Sequence, residues 1–136
     1  MTDRQLQLSI LLCRIAGGLS LLSILVVSVV PSTLRPHVLA DKHVEHLVAY
    51  LIAGVLLALG WRRDRQVLTS GVALAACAAL LEIVQLWVPG RTASVADFVA
   101  STAGAWAGVT LIYFNLRLGR AADAKAATQL SARRHR

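Results

Sequence analysis

Charge is scarce in this sequence. Only 15% of its 136 residues are Asp, Glu, Lys or Arg, where a soluble domain carries about a quarter. With 57% hydrophobic residues in so short a chain, there is too little polar surface to coat a water-soluble core, and an ordinary soluble globule is excluded. Cysteine is nearly missing as well. Cys13 and Cys77 both lie in apolar runs, where a thiol serves as a small hydrophobe, so neither a disulfide nor thiolate metal chemistry is expected. His43, Glu45 and His46 lack the H-x-x-x-H or H-E-x-x-H spacing that puts two imidazoles on one helical face. No metal and no cofactor are expected. Acidic residues number seven against fourteen Lys and Arg, for a net charge of +7. The basic residues cluster at the ends of apolar runs rather than among aromatics, which argues against a nucleic-acid partner and for a topological charge bias.

What is there is hydrophobic length. Four apolar segments run over residues 8–30, 43–61, 67–88 and 95–116, with Pro31, Ser32 and Pro36, then an RRDR cluster, then Pro89-Gly90-Arg91 between them. The 22-residue third segment reaches ~33 Å as a helix, enough to cross a hydrocarbon core of about 30 Å. The expected fold is all-α: a four-helix transmembrane bundle over residues 1–116, followed by a basic cytoplasmic tail over 117–136. Ten Lys and Arg fall on the side of Arg4, the Arg62–Arg65 cluster and the tail, against three (Arg35, Lys42, Arg91) on the other. The crowded side is cytoplasmic by the positive-inside rule, which places both ends inside. Arg14, inside the first run, can snorkel to that same interface because helical side chains lean toward the N-terminus. The first run is too long for a signal-peptide core and no convincing A-x-A site follows it. Bilayer lipids are therefore the first expected partners. Small residues at Gly71, Ala75 and Ala79, and at Ala100, Gly104 and Gly108, allow close helix contact, within the bundle or in an oligomer.

Polar residues gather in one third of the bundle. Glu82 and Gln85 share a face of the third helix. Counted back from Val88, Glu82 lies ~9 Å inside the outer end, where a carboxylate needs a proton, a partner or a wet cavity. Tyr50 and Ser101 reach a similar depth on the neighbouring helices, and His46 and Asp97 lie one turn nearer the outside with Gln85. Asp41, Lys42, Glu45, Arg91 and Ser94 form the rim. Plainer readings stand beside these. Ser94 and Asp97 fit a helix-starting capping box, Asp41 and Glu45 suit a helix dipole, and His46 can be an ordinary interfacial side chain.

The stretches EHLVAYLIAG and LEIVQLWVPGRTASVADFVASTAGAWAG resemble the VanZ-like family of bacterial membrane proteins. The shared pattern falls on His46, Tyr50, Glu82, Gln85, Pro89, Gly90, Arg91, Ser94, Asp97 and Gly104. Asp41-Lys42 stands one residue farther from the histidine than in the family, and Ser101 replaces a frequent asparagine. The resemblance implies a multi-pass protein of the bacterial inner membrane, a cell-envelope role and a link to glycopeptide (teicoplanin) resistance, but no specific chemistry.

Three functions follow as expectations. In the first, an outward-facing pocket of His46, Tyr50, Glu82, Gln85, Arg91, Ser94, Asp97 and Ser101 binds or modifies an envelope lipid or lipid-linked cell-wall precursor. Glu82 or His46 would be the general base, and Arg91 would hold a phosphate or carboxylate. In the second, the polar layer holds the bundle together and the protein works through a membrane partner. The third, a transporter or channel, is weakest, because no polar stripe crosses the inner leaflet and no interrupted helices suggest repeats.

Overall fold

The computed structural model describes residues 2–31, 41–61 and 63–134; the connection carrying Ser32, Arg35 and Pro36 lies outside them, as do Arg62 and Arg136. Every regular element among the described residues is a helix: α1 (Asp3–Val29), α2 (Lys42–Leu59), α3 (Asp64–Gln85) and α4 (Val95–Arg134). All four are long and apolar enough to cross a membrane.

Local chemistry explains where the helices start and stop. Thr2 and Gln5 form a reciprocal capping box, so α1 begins five residues before its apolar run. Asp41 caps α2 by accepting from the His43 amide at 2.8 Å. The helix α3 stops at Gln85 rather than Val88, because the amides of Leu86, Trp87 and Val88 bond carbonyls three residues back and tighten the last turn. Gly90, with φ at 74°, then supplies the left-handed step that turns the chain after Pro89. No proline follows Leu116, the single Gly119 is carried within the helix, and the Ala-rich basic stretch favours helix. Thus α4 continues for 40 residues, or ~60 Å, about twice the hydrocarbon thickness.

The bundle is held by backbone proximity. Helices α2 and α4 form the most extensive interface, α3 packs on both, and α1 lies against α2. A Cβ at Gly104 would stand 2.1 Å from the Leu47 carbonyl oxygen, one at Gly108 2.4 Å from that of Leu51, and one at Gly54 2.6 Å from that of Ala105. The small-residue stripe of α4 is therefore used inside the chain, against α2, as small residues serve membrane helices that lack a hydrophobic drive to associate. A Cβ at Gly71 of α3 would stand 3.2 Å from the Trp106 ring, so the glycine makes room for a tryptophan in mid-span. By contrast, α1 buries only Gly17 and Ser28.

At the end of the bundle where α2 finishes, the Arg14 Nε donates to the Gly60 carbonyl at 2.8 Å, and the guanidinium lies 4.5 Å from the Trp61 ring centre. Beside it Asp64 pairs with Arg117 at 2.9 Å and with Arg120. The opposite end carries the polar cluster.

Candidate functional site

The site is built where α4 begins. Ser94 caps the helix, its hydroxyl accepting from the Asp97 amide at 3.4 Å. In a closed capping box the Asp97 carboxylate would reach back to the Ser94 amide. Instead Glu82, from α3, accepts from that amide at 2.7 Å. Because α3 ends early, Glu82 sits only one turn, ~4.5 Å, from its helical end. Its carboxylate is half-buried and engaged with the positive end of α4, so the partner that a carboxylate at this position requires is a helix N-terminus, which Glu82 caps from the neighbouring helix.

Relieved of capping, Asp97 becomes the buried carboxylate of the cluster. Its side chain is 0% exposed; Lys42 Nζ lies 2.5 Å from Oδ2, and His43 Nδ1 lies 2.8 Å from Oδ1. His46 Nε2 stands 4.0 Å from Oδ2, and its Nδ1 meets the Ser101 hydroxyl at 3.3 Å. A carboxylate out of water needs such company, since desolvation of an unpaired ion costs several kcal/mol or more. The bond to Oδ1 also requires the proton of a neutral His43 to sit on Nδ1, which leaves a lone pair on Nε2. The His43 side chain is 52% exposed and Lys42 35%, so the cluster has a sealed acidic floor and an open basic rim.

The other expected site residues divide. Tyr50, 2% exposed, is buried in the core formed with Ala53, Leu74, Ala78 and Ala105. Gln85 is 1% exposed, and its Oε1 finds no hydrogen-bond partner among the described residues. Arg91, expected to hold an anion, reaches α1: its Nε donates to the Val30 carbonyl at 3.2 Å and its guanidinium also bonds the Val27 carbonyl. It thus satisfies carbonyls that the end of α1 leaves open. Lys42 was expected at the rim alone, and His43 was not among the expected site residues. The spacing of Lys42 and His43, four and three residues before His46, was the available signal, because it puts all three on neighbouring faces of one helix.

Two hollows flank the cluster. One, of about 310 Å³ between α3 and α4, is apolar apart from Glu82 and Ser94 and is lined by Ala79, Ile83, Leu86 and Phe98. The other, of about 200 Å³ between α1 and α2, sets Ser20, Ser23 and Ser28 among Ile24 and Val27 on one side and Glu45, His46 and Tyr50 beside Ala49 on the other, and most of its wall is apolar. His46 therefore faces the second hollow while touching Ser101 behind it. Among the described residues no group of three or more His, Cys, Asp or Glu side chains could hold a metal ion.

A sequence model of the family described as VanZ/LLP1 matches residues 9–117, which take in all four spans and the whole cluster. No curated protein and no solved structure matches the chain.

Proposed function

Because the chain belongs to the VanZ/LLP1 family and is a multi-pass membrane protein by its four apolar helices, we propose that it uses the polar end of its bundle to bind or modify the headgroup of an envelope lipid or lipid-linked cell-wall precursor. That end faces away from the cytoplasm, with both chain termini on the cytoplasmic side of the bacterial inner membrane. The observation that carries it is Asp97: a fully buried carboxylate, unneeded for capping, beneath a half-exposed lysine and histidine. Lys42 can meet an anionic group, and the outward Nε2 of His43 can accept a proton. His43 therefore joins His46 as a candidate base, in preference to Glu82, which is occupied with the Ser94 amide.

A purely structural role accounts for less. A buried ion pair is weak support for stability, since apolar replacements often serve as well. Here α2 and α4 already meet through Gly54, Gly104 and Gly108, so their contact does not depend on Asp97. Ionisable groups inside a span are functional by default for the same reason of cost.

The test is expression of the wild type and Asp97→Asn in a teicoplanin-susceptible bacterium, with protein level followed by immunoblot. Raised tolerance with the wild type, lost in the variant at equal protein level and nearly equal thermal stability in detergent, is the expected result. Tolerance that survives Asp97→Asn removes the site from the function. Tolerance lost only in step with stability returns the cluster to a structural role.

A further inference from the structure

The hollow between α3 and α4 sets a carboxylate in an apolar wall. Ile83, Leu86 and Val95, which line it, are among the large apolar side chains left exposed on the bundle, so it opens toward lipid. Along α3 it runs from Leu86 at the rim to Ala79, seven residues or ~10 Å deeper, and Glu82 stands between them.

Only one oxygen of Glu82 is engaged. Its Oε2 accepts from the Ser94 amide at 2.7 Å, and among the described residues Oε1 makes no hydrogen bond or ion pair. A carboxylate offers about four lone-pair sites and donates nothing. At the edge of hydrocarbon such a group is costly until a cation or donor meets it. The rest of the lining is apolar except for Ser94, which already gives its amide.

The apolar wall by itself selects no lipid, because hydrocarbon tails are as apolar as the side chains they would touch. Selectivity must come from the carboxylate. It repels a headgroup whose only charge is a phosphate. A quaternary ammonium brings charge without a donor, and a hydroxyl brings a donor without charge. A primary ammonium brings both, with three N–H groups for an acceptor-only partner. A soluble amine has nothing to lay along the wall, whereas a lipid does. The volume of about 310 Å³ is at the low end of the range of about 300–1,000 Å³ usual for small-molecule sites, which suits an ammonium and a stretch of one chain rather than a whole lipid.

We infer that this hollow is a site for an aminophospholipid of the phosphatidylethanolamine type, its ammonium donating to Glu82 Oε1 and one acyl chain lying along Ala79, Ile83 and Phe98. Val95 and Phe98 turn toward this groove, while Asp97 meets Lys42 and His43 of α2. The site therefore lies on another face of α4 from the Asp97 cluster and stands or falls separately from the function proposed for that cluster.

The full chain would be reconstituted in nanodiscs holding equal parts of phosphatidylethanolamine, phosphatidylcholine and phosphatidylglycerol with matched chains, and the lipids it retains counted by native mass spectrometry. Several-fold enrichment of phosphatidylethanolamine over the other two is expected. Glu82→Gln keeps an oxygen for the Ser94 amide and removes the charge, so it should abolish the preference. Ala79→Leu fills the deep end of the groove without touching the cap and should abolish it too, which keeps the test decisive if the first variant is unstable. Gly18→Leu adds bulk to α1 at a position with nothing within 4 Å and should leave the preference intact. A preference that survives Glu82→Gln or Ala79→Leu, or that is lost in Gly18→Leu, overturns the assignment of the hollow. Equal enrichment of phosphatidylethanolamine and phosphatidylcholine overturns the donating ammonium, enrichment of phosphatidylglycerol overturns the cationic class, and equal retention of all three overturns the site.

Discussion

At the scale of single residues, the Asp97 cluster is asymmetric, and the asymmetry has measurable consequences. Asp97 is wholly enclosed, whereas the Lys42 side chain is 35% exposed. Removing the carboxylate frees a lysine that can turn to water or to headgroups. Removing the lysine leaves a buried carboxylate with only imidazoles beside it. Taking away one partner of a buried pair costs about 3–5 kcal/mol in soluble proteins when the survivor cannot escape. Lys42→Met is therefore expected to lower thermal stability in detergent clearly more than Asp97→Asn. Adding Asp97→Asn to Lys42→Met should recover most of the loss, because the stranded charge is then gone. Equal losses in the two single variants, simply adding in the double, would show that the two groups do not feel one another.

Between elements, the α2–α4 contact is the one that tolerates least. At Gly104 a methyl group would meet the Leu47 carbonyl oxygen at 2.1 Å, and both partners are backbone. No side chain can rotate away, so the helices must part. Gly104→Ala should destabilise by at least the ~1–3 kcal/mol of an overpacked core. Gly18→Ala, in open space on α1, should be neutral or mildly stabilising, since alanine outranks glycine in a helix by about 0.5–1 kcal/mol. Unfolding of the two variants in a mild detergent, followed by circular dichroism, gives the comparison.

The number of helices, and the small-residue face that lies in this contact, were legible in the sequence because each is a matter of local pattern. Four apolar runs with breakers between them need no tertiary information, and glycine every fourth residue marks a face. The internal plan of the polar end was less legible, for reasons tied to helix ends. A tightened turn of three residues follows Gln85, and Glu82, one turn before it, meets the Ser94 amide. That in turn left Asp97 to Lys42 and His43. Periodicity places residues at depths on the assumption of regular helix, and it is silent about which of two carboxylates answers which amide.

Over the whole molecule, the two ends of the bundle are chemically unlike, and this bears on how it sits in a bilayer. One end gathers Arg14 on the Gly60 carbonyl and Asp64 between Arg117 and Arg120, and α4 carries further basic residues beyond it as far as Arg134. At the other end the cations Lys42 and Arg91 are bound to a carboxylate and to helix carbonyls. A lysine neutralised by Asp97 has little pull on topology, so the bias of ten basic residues against three understates the difference between the ends. The positive-inside rule then predicts the basic end, with both termini, in the cytoplasm, and the Asp97 cluster at the opposite face. A green fluorescent protein fused after the last residue should fluoresce, and alkaline phosphatase fused there should be inactive, because the first needs the cytoplasm to fold and the second needs an oxidising compartment. Phosphatase placed between Pro89 and Ser94 should be active. The reverse pattern would turn the cluster toward the cytoplasm, and an envelope headgroup could then reach it only from the inner leaflet.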